Sequence, residues 1–549
     1  MSAFQDKVVY QIYPKSFADT AGSGTGDLRG ILSHLDYLRD LGVDMLWLNP
    51  VYCSPQVDNG YDVSDYCSID PVYGSMEDFE ELTREAKKRG IGIMMDMVFN
   101  HTSTEHKWFK KALAGDPEYK DFYIWADAKE DGSMPTQWES KFGGPVWEYV
   151  PQFHQYYLHL FDPKQADLNW KNPKVRQAAA DVVKFWMDKG VIGFRFDVIN
   201  LISKPDVWQE DDQGDGRRFY TDGPMMHAYL KELHQNSFGQ SPEHIMTVGE
   251  MSSTSMEDCR RYASAKEKEL DMVFSFHHLK VDYRNREKWD PMPLDLRELK
   301  KVLFSWQTGM QEADSWNTLF WECHDQPRAL SRFGDEVNYP KESAKLLAGA
   351  LFLMRGTPYI LQGQELGMTN NHFQSLDQYR DVESLNAAEM LREKGKTEAE
   401  ILEILDARSR DNGRTPMPWN GTEKAGFTTG TPWMDINPNH KSINVEDEEK
   451  DPDSVLNFYK ELLKLRKAMP VLQEGSIEPL LEDDPQILAY RRHLGQDHVL
   501  VLANFSGDPA EIPARLIPEG ARKLLGNCND SMEEGKLRPW ELAVLQLPA

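Results

Sequence analysis

No stretch of this chain approaches the 18 consecutive apolar residues that a membrane-spanning helix needs, and residues 1–7 contain no apolar signal core. These absences exclude a spanning helix and give no reason to expect export; the expected location is the cytoplasm. Cysteine is scarce: Cys53, Cys67, Cys259, Cys323 and Cys528 are widely spaced, odd in number and without a metal-ligand pattern. They read as reduced thiols. Positive charge is outweighed, with a formal net charge of −27, which argues against nucleic acid or an anionic membrane as partner. An anionic small molecule could bind only where a local basic pocket works against this global field. Internal repeats and low-complexity segments are also missing.

What remains is the composition of a globular enzyme of 549 residues, long enough for two or three domains. Short apolar runs alternate with amphipathic helical patterns. Eight strands are expected near residues 8–14, 43–50, 91–100, 193–200, 244–250, 271–276, 317–324 and 357–363. Near-continuous apolar strands separated by helices predict an α/β fold, a closed parallel (β/α)8 TIM barrel. Ser75 is an expected N-cap, with Phe79, Leu82 and Ala86 at helical spacing and Gly90 as the stop. Asn172-Pro173 opens another helix, carrying Val175, Ala179, Val182 and Trp186 on one face.

Two segments break the alternation. Residues 102–170 are aromatic-rich and too long for a βα loop, so they read as a subdomain inserted after the third strand. After Pro470 the texture changes to alternating strands, predicting a small antiparallel β domain. The expected organisation is therefore a barrel formed by 1–101 and 171–470, the insertion 102–170 and a C-terminal β-sandwich domain 471–549.

Active sites of such barrels lie at the C-terminal strand ends. There the sequence places Asp96 to His101, Arg195 and Asp197, Glu250, and His324-Asp325. Arg195 and Asp197 stand two apart, on one face of a strand, and a guanidinium beside a carboxylate should hold it ionised. Glu250 follows apolar Val248 and Gly249, suiting a carboxyl kept protonated. One ionised carboxylate and one protonated carboxyl are what glycoside hydrolysis requires.

With these motifs in order along the whole chain, the sequence resembles the α-amylase clan of retaining glycosidases (glycoside hydrolase family 13), in its oligo-1,6-glucosidase branch. The matching segments are 96–101, 165–169, 193–200, 248–250 and 324–328. The resemblance implies Asp197 as nucleophile, Glu250 as acid/base and Asp325 as transition-state stabiliser. It implies sugar contacts from Asp58, Tyr61, His101, Gln165, Arg195, His324, Arg328 and Arg414, with an Asp58–Arg414 pair closing the pocket to make the enzyme exo-acting. Cys323, Gly413, Pro418 and Gln364 depart from residues usual in the branch, which are Asn, Ala, Gln and Glu. The loop from Asp19 to Asp27 corresponds to a calcium loop in relatives, but Ala21 offers no ligand and Ser23 a weak one, so a Gly-rich turn is preferred to a metal site. No cofactor is expected to be required.

Within the branch, the segments 22–26, 216–224 and 277–283 most resemble members that hydrolyse trehalose 6-phosphate. Where relatives acting on neutral isomaltosides carry acids, this chain has His277 and Lys280, a change toward positive charge that a dianionic phosphate would need. The candidate phosphate contacts are Lys280, Arg284, Arg286, Lys288, Arg217 and Arg218. Val198 resembles the residue following the nucleophile in branches that do not cleave α-1,4 linkages. The expected activity is hydrolysis of this phosphorylated disaccharide, with retention, by a monomer. The alternatives are an exo-α-1,6-glucosidase and, more remotely, a non-catalytic amylase-like subunit.

Overall fold

The computed structural model describes residues 4–212, 214–528 and 535–548. Residues 1–3, 213, 529–534 and 549, included in the expected domain ranges, lie outside them. The eight expected strands are present: β1 Val9–Ile12, β2 Met45–Leu48, β3 Gly92–Met97, β4 Gly193–Phe196, β5 Met246–Met251, β6 Met272–Ser275, β7 Thr318–Leu319 and β8 Thr357–Leu361. They run parallel in the order β6-β5-β4-β3-β2-β1-β8-β7. A parallel bridge between Val273 and Asn317 joins the two ends and closes the barrel. β1 to β5 and β8 are buried along their whole length, as expected for strands covered on both faces.

The helices begin where side chains can satisfy their free N–H groups. Ser75 caps Met76–Lys88 in a reciprocal capping box with Asp78, and Gly90 follows in the left-handed region at φ 75°. Asn172 caps Pro173–Asp188 through the N–H of Lys174. Within 102–170, His101–Ser103 pairs antiparallel with Gln165–Asp167, so the insertion leaves and re-enters at one place. Between them lies a three-stranded antiparallel sheet of Trp125–Asp127, Gln155–Leu158 and Trp147–Val150.

The C-terminal region is a five-stranded antiparallel sheet. Alternation sorts its side chains: Leu488, Tyr490, Val499 and Val501 join the main core, whereas Ile487, Ala489, Leu500 and Leu502 form a second cluster. Charge also crosses this junction. Lys300, fully buried on a barrel helix, donates to the carbonyls of Leu481, Asp484 and Ile487. Arg492 returns from the sheet to the carbonyls of Leu353, Leu472 and Gly475.

One boundary differs from expectation in a way that matters. The strand expected over 193–200 ends at Phe196, and Val198 takes a left-handed conformation (φ 33°, ψ 40°) before the turn Ile199–Leu201. A β-branched residue pays about 1–3 kcal/mol for such a backbone, so the surrounding structure must impose it. Bonds from Asp197 N–H to Met97 C=O (2.9 Å) and from Leu201 N–H to Val198 C=O (3.0 Å) do so.

Candidate active site

Arg195 is the hub of the pocket. It sits opposite Asp96 in the β3–β4 register, 1% exposed, with its guanidinium 5.1 Å from the Trp47 ring. Nη1 donates to Asp96 Oδ1 (2.8 Å) and Asp197 Oδ1 (2.6 Å), and Nη2 donates to Glu250 Oε2. One cation therefore serves three carboxylates from three adjacent strands. Asp96, which the site reading left without a role, also accepts from the Tyr61 hydroxyl (2.8 Å) and Trp47 Nε1 (3.1 Å).

This sharing corrects the expectation that Arg195 alone would hold Asp197 at an ordinary low pKa. Burial pushes Asp197 up to about 7, with the charges of Asp96 and Asp325 adding to burial and Arg195 opposing it. Glu250 is pushed higher, to about 8, by burial and by Asp197 and Asp325. Both carboxyls are raised and share one guanidinium, so ionising one makes the other harder to ionise, and the pair can present one acid and one nucleophile to the same bond.

Asp325 behaves differently. Burial works to raise it, but His324, Arg410, Arg414 and Arg195 hold it well below the usual carboxylate range. Arg410 Nη1 donates to its Oδ1 at 3.0 Å and Arg414 Nη2 at 3.2 Å. His324 is itself pushed down to about 3, chiefly by burial, so at neutral pH the arginines carry this effect. The Gln11 amide donates to His324 Nδ1 (2.7 Å), leaving the ring proton on Nε2, 3.2 Å from Asp325 Oδ2. Tyr61 stacks on His324 with centroids 5.2 Å apart.

The expected Asp58–Arg414 pair is not the one formed. Asp58 is bonded by Arg410 Nη2 at 2.9 Å, and Gln165 Nε2 donates to its other oxygen at 3.1 Å. Arg414, four residues on in the turn Arg410–Arg414, donates to the His324 carbonyl (2.8 Å), to Asp381 (3.0 Å) and to Asp325. Asp381, which sequence reasoning missed, is fully buried and also accepts from Arg410 Nε at 2.8 Å. Its only sequence signal was an acid beginning a helix in the long 369–440 excursion. Gly413 fits this turn tightly: a Cβ there would lie 2.6 Å from the Gln326 carbonyl oxygen. That contact accounts for glycine where the branch usually has alanine.

His101 lies at the same rim, bonded through Nε2 to the Tyr61 carbonyl (3.0 Å) and pushed down to about 4 by burial. Arg328 is fully enclosed, with Nη1 on Glu322 (3.0 Å) and the Gln362 carbonyl (2.8 Å) and Nε on the Asn412 carbonyl (3.2 Å), so in this structure its guanidinium braces the loops around the pocket.

The candidate phosphate contacts separate. Lys280 has no ion-pair partner among the described residues, and the charge of Arg217 bears on it. Arg217 pairs with Asp215, and Arg218 with Asp211 (2.9 Å) and Asp212. Arg284 is exposed and 3.5 Å from Asp290, and Arg286 is exposed at a kink. Lys288 turns to Glu383 (2.6 Å), which also approaches Arg410. An open cavity of about 500 Å3 lies elsewhere, among Lys120, Trp125, Trp170 and Trp208, and none of the pocket carboxylates lines it.

In the Asp19–Asp27 loop both carboxylates are engaged by donors of the chain itself. Asp19 accepts from the N–H groups of Ala21, Gly22 and Gly24 and the Thr428 hydroxyl; Asp27 accepts from Thr20 and caps the helix Leu28–Ser33 through Gly30 N–H.

Residues 11–475 match the family model for the α-amylase catalytic domain. The chain is 53% identical over 547 residues to the trehalose-6-phosphate hydrolase of Bacillus subtilis (strain 168), covering 98% of this chain and 97% of that protein. It is 46% identical to an oligo-1,6-glucosidase of Parageobacillus thermoglucosidasius, covering 99% of each. Among solved structures, Bacillus licheniformis trehalose-6-phosphate hydrolase superimposes with a TM-score of 0.95 at 52% identity, covering 99% of both chains.

Proposed function

The chain belongs to the α-amylase family and is a glycoside hydrolase, and from that footing we propose that it hydrolyses α,α-trehalose 6-phosphate to glucose and glucose 6-phosphate with retention of configuration. The observation that carries the chemistry is the single guanidinium of Arg195 shared by Asp197 and Glu250. Two carboxyls on one fork suit the spacing of about 5–5.5 Å used by retaining enzymes.

In this reading Glu250 gives its proton to the glycosidic oxygen while Asp197 attacks the anomeric carbon, forming a glucosyl-enzyme and releasing glucose 6-phosphate. Glu250, now a carboxylate, takes a proton from water, which attacks the same carbon and frees glucose and Asp197. Asp325, kept ionised by Arg410 and Arg414, faces the positive charge that builds on the ring between these states. Asp58, Tyr61, His101, Gln165 and His324 surround the glucosyl ring, and the Asp58–Arg410 pair closes the pocket behind it. The phosphorylated sugar leaves toward Lys280 and Arg217. No metal enters any step, and the Asp19–Asp27 loop acts as a turn.

We place the reaction in the cytoplasm and in a monomer. Phosphorylated sugars are confined by membranes, and no helix among the described residues is long and apolar enough to cross one. The competing reading is an oligo-1,6-glucosidase, as in the 46% identical relatives. Turnover of trehalose 6-phosphate, trehalose and isomaltose by the same preparation separates the two: the phosphorylated substrate is expected to win in kcat/KM by at least about 100-fold. Equal rates on both trehaloses would refute the phosphate reading. Asp197→Asn should lower turnover by about 10,000-fold or more.

A further inference from the structure

Several features near the rim have no part in the steps above, and they meet at one place. Lys141 belongs to the inserted segment, where its N–H bonds the Leu160 carbonyl at 2.9 Å. The next residue, Phe142, lies 5.2 Å from the guanidinium of Arg410, and its carbonyl accepts from Asn386 at 2.9 Å. Lys141 is therefore pinned one residue from the pocket wall. Its ammonium stands 5.3 Å from the centre of the Tyr220 ring.

Tyr220 ends the short helix Arg217–Tyr220, which also carries Arg217. It is fully buried and packs in one apolar cluster with Val198, the residue after Asp197. Among the described residues its hydroxyl has no hydrogen-bond partner. A buried hydroxyl left unpaired costs about 1–3 kcal/mol, a cost that a ligand can remove. Lys280 reaches the same neighbourhood from the turn His277–Lys280 that follows β6. The positive charges of Arg217 and Lys280 both bear on Lys141, which burial and those charges push down to about 8. Asp215, paired with Arg217, opposes them. Like Lys280, Lys141 has no ion-pair partner among the described residues. Three cations are thus gathered around one acid in a chain of net charge −27, an arrangement that is repulsive until an anion arrives.

We infer that Lys141 is a specificity-determining residue, whose ammonium joins the Tyr220 hydroxyl, Arg217 and Lys280 in holding the phosphate of the leaving sugar. This rests on the trehalose 6-phosphate reading and adds to it that the inserted segment, as well as the barrel loops, reads the phosphate. The phosphate then bridges the two.

The test is the ratio of kcat/KM for trehalose 6-phosphate to that for trehalose, which cancels differences in the amount of folded enzyme. In Lys141→Met the ratio should fall about 10- to 100-fold, the effect of one charge-assisted hydrogen bond, mostly through KM. Tyr220→Phe should lower it about 3- to 10-fold, and Lys141→Arg should stay within about 3-fold of wild type. A preserved ratio in Lys141→Met, in an enzyme whose wild type prefers the phosphorylated substrate, overturns the role of Lys141 and leaves the proposed reaction standing. A wild type without that preference overturns both.

Discussion

The floor of the pocket and its rim are built on opposite rules. At the floor, three guanidiniums (Arg195, Arg410 and Arg414) serve seven carboxylates (Asp58, Asp96, Asp197, Glu250, Asp325, Asp381 and Glu383), so acid is in excess. At the rim, Lys141, Arg217 and Lys280 gather around Asp215, and cation is in excess. In the proposed reaction the anomeric carbon becomes positive at the floor while a fixed negative group waits at the rim. The enzyme's charge is laid out as the complement of that separation. The floor must be wired because desolvated acids repel, whereas the rim can be left open because its counter-ion comes with the substrate.

The strongest way to break this contrast is at Arg410. Arg410→Met leaves Asp58, Asp325 and Asp381 short of a partner, which should cost about 3–5 kcal/mol of stability and lower turnover at least about 100-fold. Thermal melting and kcat measure both, and a wild-type melt would show that the floor does not depend on its arginines. Next comes pH. The productive floor has Asp197 ionised and Glu250 protonated, so kcat/KM should fall as pH drops through about 7 and again as it rises through about 8, tending to tenfold per unit beyond each. A flat profile between about pH 5 and 9 would remove the proposed division of labour.

Smaller effects probe the rim. Lys280→Met should lower kcat/KM for trehalose 6-phosphate about tenfold without lowering the melting temperature, because it removes an unpaired cation near Arg217. A loss of stability matching that of Arg410→Met would erase the distinction. Last, raising salt from about 0.05 to about 0.5 M should raise KM for the phosphorylated substrate about two- to threefold, since rim charges are screened and floor charges are not.

Much of this was legible in the sequence. The barrel strands announce themselves as apolar runs, and the segments ending the fourth, fifth and seventh strands each carry an acid, so Asp197, Glu250 and Asp325 could be named before their meeting was seen. What could not be read were choices between neighbours. Arg410 and Arg414 stand four apart in one tight turn, and only the direction of that turn decides which reaches Asp58. Arg195 looked like the private partner of Asp197 because sequence shows the residue two positions away and not Asp96 and Glu250 across the sheet. Arg328 sits in a motif beside two pocket residues, and the motif does not show that its guanidinium is taken by Glu322. Lys141 was hidden by its surroundings: in an irregular segment a single lysine carries no periodicity, and its neighbours Arg217 and Lys280 are distant in the chain.

The buried Lys300, holding three carbonyls of the C-terminal region from a barrel helix, and Arg492, holding the Leu353 carbonyl of the barrel from the sheet, limit what can be cut from this chain. The recognisable catalytic unit stops at residue 475, but a polypeptide ending there would strip the Lys300 ammonium of all three of its carbonyl acceptors. It would also expose the core face that Leu488, Tyr490, Val499 and Val501 cover. The barrel and the sheet are thus one folding unit, and a minimal version of this enzyme cannot be made by trimming at the edge of its family signature.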